Sequence, residues 1–125
     1  MDKVLVDTNV FIDIFKGKHE VLNYLNHIEV YVNPIILMEI YIGAENKNEV
    51  RRFEKFSNSF EISLIDNEIS LLAIELIKKY SKSHGLAIPD AIIAATCFEN
   101  SFELFTYNIK DFKFIDNLKL HNHLN

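Results

Sequence analysis

The stretch Val4-Leu5-Val6-Asp7-Thr8-Asn9 decides how the rest of the chain is read. Three consecutive apolar residues predict a short strand buried on both faces, as in a parallel sheet. The Asp7 carboxylate follows at once, and Thr8 or Asn9 can cap a helix starting there. A charge therefore stands at the carboxyl end of a buried strand, where open α/β sheets place their ligand crevice.

Outward from that strand, apolar segments of two periods alternate. Asn9 to Lys16 and His19–His27 read as helices, and Glu29–Val32 as a half-buried strand. Asn33-Pro34 pairs a capping residue with proline at the first helical position, so it opens a helix. That helix, through Ile42, is apolar nearly all round and is expected to be buried. Asn48–Ser57 is a charged helix with a thin apolar edge of Val50, Phe53 and Phe56, and Phe60–Leu64 alternates as a strand. Asp66 caps the longest helix, which His84-Gly85 stops. Ile88-Pro89 opens another helix to Glu99, Leu104–Thr106 is a strand, and Leu118–Leu120 marks a last short one. Strands alternating with helices predict a three-layer α/β domain over 1–125, its central, mainly parallel sheet flanked by helices.

Composition narrows the function classes. Hydrophobic residues make up 49% of 125 residues, with 3 Gly and 2 Pro, so the chain can bury a core. No apolar run approaches the ~20 residues of a membrane span, and Met1-Asp2-Lys3 leads straight into the first strand without a signal-peptide pattern. A single cysteine, Cys97, rules out an internal disulfide framework and fits a reducing cytoplasm. The net charge of -5 argues against a nucleic-acid binder working through a broad basic field.

Four acids change that last inference. Glu39 lies inside the apolar helix, Asp90 in the first turn of another, and Asp111 in a short polar break near the end of the chain. Each alone has an ordinary explanation: a lysine partner, a strand-end acceptor of backbone N–H groups, dipole complementation or a surface turn. Together with Asp7 they fall on one plausible rim. Burying unpaired carboxylates is costly, so such groups pair, take up protons or bind cations. Oxygen-only donors suit Mg²⁺ or Mn²⁺, and one or two such ions can activate water and clamp a phosphodiester. With the four set aside, 14 of the 18 acids remain against 13 bases, a nearly neutral surface that admits a polyanionic substrate.

Taken in order, Asp7-Thr8-Asn9, Glu39 in its apolar helix, Pro89-Asp90-Ala91 and Thr106-Tyr107-Asn108-Ile109-Lys110-Asp111-Phe112 resemble a PIN domain, and most of all the small VapC-like toxins of bacteria and archaea. The resemblance spans nearly the whole chain. It implies an Mg²⁺- or Mn²⁺-dependent endoribonuclease, a homodimer, and a cognate antitoxin whose tail fills the groove. It carries metal-binding and catalytic roles onto Asp7, Glu39 and Asp90, with Asp111 as the fourth acid and Asn108 beside it. Thr8 and Asn9 match positions that organise the site by hydrogen bonding, and Lys110 is placed to touch phosphate. Tyr107 departs from the pattern, since related toxins often carry a basic residue there.

Two other readings compete. A receiver-type signalling domain also gathers acids around Mg²⁺, but it needs an acidic pair after the first strand, where Asp7 stands alone. A PIN-like module that binds RNA without cutting it is the other. Several residues read as structural: Asp13 as solvent-facing, Tyr41 and Tyr107 as core or rim packing, Cys97 as core. Lys47, Arg51, Arg52 and Lys55 read as a solvated helix face, and His121 and His123 as frayed tail.

Overall fold

A computed structural model describes residues 1–122. Its centre is a four-stranded, all-parallel sheet of β1 (Lys3–Val6), β2 (Glu29–Val32), β3 (Glu61–Ile62) and β4 (Glu103–Phe105), in the order β3-β2-β1-β4. β1 is clamped on both edges, with Leu5 opposite Tyr31 on one side and Leu104 on the other. Val4, Leu5 and Val6 are completely buried. Successive side chains on a strand point to opposite faces, so helices must cover both sides of the sheet.

The helices are α1 (Thr8–Phe15), α2 (His19–Leu25), α3 (Pro34–Gly43), α4 (Lys47–Ser57), α5 (Asn67–His84) and α6 (Ile88–Asn100). Their starts follow local chemistry. Asn33 Oδ1 accepts from the Ile36 N–H at 2.9 Å, and Asp66 Oδ1 from the Ile69 N–H at 2.9 Å, each satisfying a donor the helix leaves orphaned. Gly85 closes α5 at φ +71°, a left-handed cap that glycine adopts without strain. Under α1, the buried rings of Phe11 and Phe53 meet edge to face at 5.7 Å and Phe60 closes on Phe11 at 5.5 Å. This cluster fixes the helix that leaves Asp7. No helix among the described residues is long and apolar enough to cross a membrane.

The fold departs from the sequence reading in three places. β3 covers only Glu61–Ile62, an exposed edge, because one neighbouring strand gives it few partners. Leu118–Leu120 contributes a single parallel bridge, Leu120 to Leu104, instead of a strand. And α3 is not wrapped in core: Ile36 and Ile40 are buried, but Met38 is 52% and Ile42 84% exposed. Its uniform apolarity hid which side faces water.

Candidate metal centre

From β1 the chain proceeds to β2 and β3 on one side, then returns to place β4 on the other. The crevice between the carboxyl ends of β1 and β4 is thus the switch point of the sheet, where such folds bind ligands. Asp7 follows β1 there and Thr106 follows β4. The Asp7 N–H donates to the Phe105 carbonyl at 2.9 Å, and Thr106 Oγ1 donates to Asp7 Oδ2 at 2.8 Å. The other Asp7 oxygen accepts the Thr8 N–H at 2.8 Å, so the carboxylate also caps α1.

Asn9 completes this frame. Its Nδ2 lies 3.3 Å from both Asp7 Oδ2 and Thr106 Oγ1, and its Oδ1 accepts the Tyr107 N–H at 3.0 Å. The Asn108 N–H donates to Thr106 Oγ1 at 3.1 Å. One threonine hydroxyl therefore joins Asp7, Asn9 and the turn toward Asp111. Thr106 escaped the sequence reading as a site residue. Its signal is the mirror of Asp7: a polar residue directly after a buried strand.

The remaining acids come from three further elements. Asp90 lies half-buried in the first turn of α6. Asp111 is exposed at the end of a short 3₁₀ turn, Ile109–Asp111, that the buried Phe112 pins to the core. Glu39 projects from α3 and accepts a hydrogen bond from Thr8 Oγ1 at 2.9 Å. It is exposed, which overturns the expectation that its helix hides it from water. What places Glu39 at the site is the Thr8 bond and its field at Asp90, not burial.

Electrostatics ties the four together. Burial, followed by the charges of Asp7, Asp111 and Glu39, pushes the Asp90 carboxyl up to about 6. Asp7 is also held above the usual carboxylate range, mainly by burial and slightly by Asp111. Hydrogen bonds from Thr106, Thr8 and Asn9 pull the other way. No cation answers these charges among the protein's own ion pairs in the described residues. An all-oxygen set of mutually repelling carboxylates fits a hard divalent ion. The oxygens do not form a tight cage. Among the described residues, the one group of three acid or histidine donor atoms within 4.8 Å of one another is Asp2, Glu103 and His121. An open arrangement suits Mg²⁺, which keeps several waters and takes one or two carboxylates.

That other group lies at the opposite, amino-terminal end of β1 and β4. Both ring nitrogens of His121 are engaged there, one by the Tyr24 hydroxyl and one by Glu103 Oε1 at 2.5 Å. His121 is buried, not frayed, because its backbone N–H extends the sheet edge to the Leu104 carbonyl at 2.7 Å. His123 lies outside the described residues. Of the other positions singled out, Asn108 and Lys110 sit exposed on the turn beside Asp111. Asp13 is half-buried where solvent exposure was expected.

Comparison with known proteins agrees with this fold. A family model described as "PIN domain" matches residues 4–118. The chain is 29% identical over 125 residues to a "Ribonuclease VapC" of Rickettsia bellii, covering 94% of this chain and 93% of that protein. It superposes on a chain of a toxin–antitoxin complex from Klebsiella pneumoniae with a TM-score of 0.77 at 32% identity, covering 90% and 92% of the two chains. A chain of VapBC2 from Rickettsia felis, bound to a DNA fragment from its promoter, matches with a TM-score of 0.83 at 25% identity, over 96% and 98%.

Proposed function

The chain belongs to the PIN domain family, and from that premise we propose that it is a divalent-metal-dependent endoribonuclease, the toxin of a toxin–antitoxin pair. The observation that carries this reading is the hydrogen-bonded frame at the carboxyl ends of β1 and β4, where Thr106, Asn9 and Thr8 hold the Asp7 carboxylate and Thr8 also binds Glu39; the charges of Asp7, Asp111 and Glu39 that raise Asp90 support it. Relatives named ribonucleases and solved toxin–antitoxin complexes support the substrate and the antitoxin partner. Membership of the family also removes the receiver reading, whose acidic pair after the first strand has no counterpart beside Asp7.

In this reading Asp7, Glu39, Asp90 and Asp111 hold Mg²⁺ or Mn²⁺, as one or two ions. Such an ion, when bound, would supply positive charge against the phosphodiester and lower the pKa of a water molecule. The chain's own residues do the rest. Thr106, Thr8 and Asn9 fix both Asp7 oxygens and favour the ionised form that a cation needs. Thr8 orients Glu39 with its side chain while its backbone holds Asp7, coupling two ligands through one residue. Lys110 stands on the exposed turn beside Asp111, where an ammonium can meet the RNA backbone. The working unit is a single domain over 1–125, pairing as a homodimer.

The test is direct. Purified protein is incubated with single-stranded RNA and Mg²⁺ or Mn²⁺, and fragments are resolved by length. Cutting that stops with EDTA and in Asp7→Asn supports the assignment. Binding without cutting in the wild type points instead to the inactive RNA-binding module.

A further inference from the structure

Polar residues end three adjacent strands at one level of the sheet. Continuing the parallel register past Leu5 and Tyr31, and past Val6 and Phe105, puts Asn33 on one side of Asp7 and Thr106 on the other. Thr106 bonds to Asp7, but Asn33 turns elsewhere. Its Oδ1 accepts the Ile36 N–H at 2.9 Å and caps α3, and its Nδ2 donates to Thr96 Oγ1 on α6 at 3.3 Å. Both residues are completely buried. The Thr96 hydroxyl donates in turn to the Ile92 carbonyl at 2.7 Å. One helical turn on, Asn100 Nδ2 donates to the Thr96 carbonyl at 2.9 Å and to Ser63 Oγ at 3.2 Å. The Ser63 N–H pairs with the Val32 carbonyl at the end of β2 at 2.8 Å. A continuous set of hydrogen bonds therefore runs from β2 through α6 to the cap of α3.

The two helices joined in this way carry two of the four acids. Glu39 stands six residues after Asn33 on α3, and Asp90 six residues before Thr96 on α6. Apart from Glu39, the body of α3 holds to the core by apolar contact: Ile36 and Ile40 are buried, and Ile35, Leu37 and Tyr41 partly so. Apolar burial is non-directional, whereas a satisfied buried hydrogen bond specifies one arrangement. At 1.5 Å per residue Glu39 lies ~9 Å along the axis from the cap, so a ~10° tilt at the base moves it by ~1.5 Å. Mg²⁺ holds its oxygens at about 2.0–2.1 Å in near-ideal octahedral geometry, and a shift of that size takes a carboxylate out of reach. Thr8 holds Glu39 at its carboxylate, and the Asn33–Thr96 bond holds its helix at the base.

We propose that Asn33 and Thr96 are positioning residues of the acid centre, whose mutual hydrogen bond sets the helix bearing Glu39 against the helix bearing Asp90. The inference rests on the metal-dependent reading and adds to it two residues that lie behind the ligands. It gives Asn33 a task beyond capping. A cap needs only the side-chain oxygen, which serine supplies as well. The amide nitrogen and its buried threonine partner serve the angle between the helices.

The test reads metal affinity apart from cutting. Full-length, RNA-free protein is titrated with Mn²⁺ by calorimetry, counting the binding that Asp7→Asn removes, and each variant's urea midpoint is recorded alongside. Thr96→Val keeps the volume and deletes the acceptor. It should bind Mn²⁺ at least threefold more weakly, within the about 2–30-fold that changes inside a packed network produce. Asn33→Ser keeps a cap but is too short to reach Thr96, and should weaken binding alike; it decides the matter if Thr96→Val does not fold. Thr96→Ser retains the hydroxyl and loses a buried methyl. It should unfold at lower urea yet bind Mn²⁺ within twofold of wild type, a split that a purely structural role does not give. In a Glu39→Gln background Thr96→Val should change affinity by less than a further twofold, because the ligand it positions is gone. An equal loss in that background, or a loss in Thr96→Ser that tracks its stability, overturns the proposal. Wild-type affinity in the folded Thr96→Val and Asn33→Ser proteins removes the tether and leaves the metal centre standing. Wild-type protein without Asp7-dependent Mn²⁺ binding removes both.

Discussion

Thr106 Oγ1 donates to Asp7 Oδ2 at 2.8 Å across 99 residues of sequence, closing the crevice between β1 and β4. Both residues are buried, Asp7 at 5% and Thr106 at 4% exposure. Thr106→Val keeps the shape and deletes the donor. A buried carboxylate that loses a hydrogen bond costs about 1–3 kcal/mol, and loss of a group orienting a metal ligand lowers metal affinity or activity about 10–100-fold. Thr106→Val should therefore unfold earlier in urea and need more Mg²⁺ for half-maximal RNA cutting. Thr106→Ser should restore both, and a Val variant with unchanged Mg²⁺ dependence would show the bond to be structural only.

Asp90 gives the site a pH signature. Its folded pKa of about 6 lies above the unfolded value of 3.8, so between those values the folded state holds a proton that the unfolded state has lost. Stability from this group is present below about pH 4 and is lost as pH rises through about 6. The full shift corresponds to about 3 kcal/mol, and solvent screening at a half-buried group brings it nearer 1–2 kcal/mol. Burial raises Asp7 in the same direction. Without divalent ions, the urea midpoint should fall between pH 4 and pH 7, and Asp90→Asn should flatten that slope. An unchanged slope in the variant would mean that the repulsion at Asp90 is not what the geometry suggests.

Much of this was legible in the chain before any coordinates. The run from Val4 to Asp7 placed the central strand, because three apolar residues without alternation require cover on both faces. Asn33-Pro34 and Asp66 placed two helix starts, because their side chains satisfy specific backbone donors. Glu39 stands out in the sequence for a burial that the structure does not give it. A helix apolar on every side gives no periodic signal of which face is wet, and the open side of α3 follows from tertiary packing alone. Thr106 gives no such signal for a related reason. Its partner Asp7 lies 99 residues away, and neither periodicity nor capping chemistry reports contacts at that separation.

Exposure of Glu39 separates function from stability. Substitutions at exposed positions away from the core usually change stability by no more than about 0.5 kcal/mol. Glu39→Gln keeps an acceptor for the Thr8 hydroxyl and removes one negative charge. The melting temperature should stay within about 2 °C of wild type. RNA cutting should drop at least 100-fold if Glu39 is a metal ligand, about 3 kcal/mol of transition-state stabilisation. Cutting at the wild-type rate would take Glu39 out of the ligand set and leave it an ordinary rim acid.

Adding a divalent ion should raise the melting temperature, because an ion that binds only the folded chain stabilises it by about 2.7 kcal/mol at one hundred times its dissociation constant. Two clusters compete for that ion: the four acids at the carboxyl ends of the strands, and Asp2, Glu103 and His121 at the amino ends. The second already satisfies both His121 nitrogens internally, so an ion entering there must break the bond to Tyr24 or to Glu103. The first has repelling charges, and no ion pair among the described residues answers them. The rise in melting temperature with Mg²⁺ or Mn²⁺, reversed by EDTA, should therefore persist in Asp2→Asn and vanish in Asp7→Asn. The opposite pattern would move the ion to the far end of the sheet, away from the crevice.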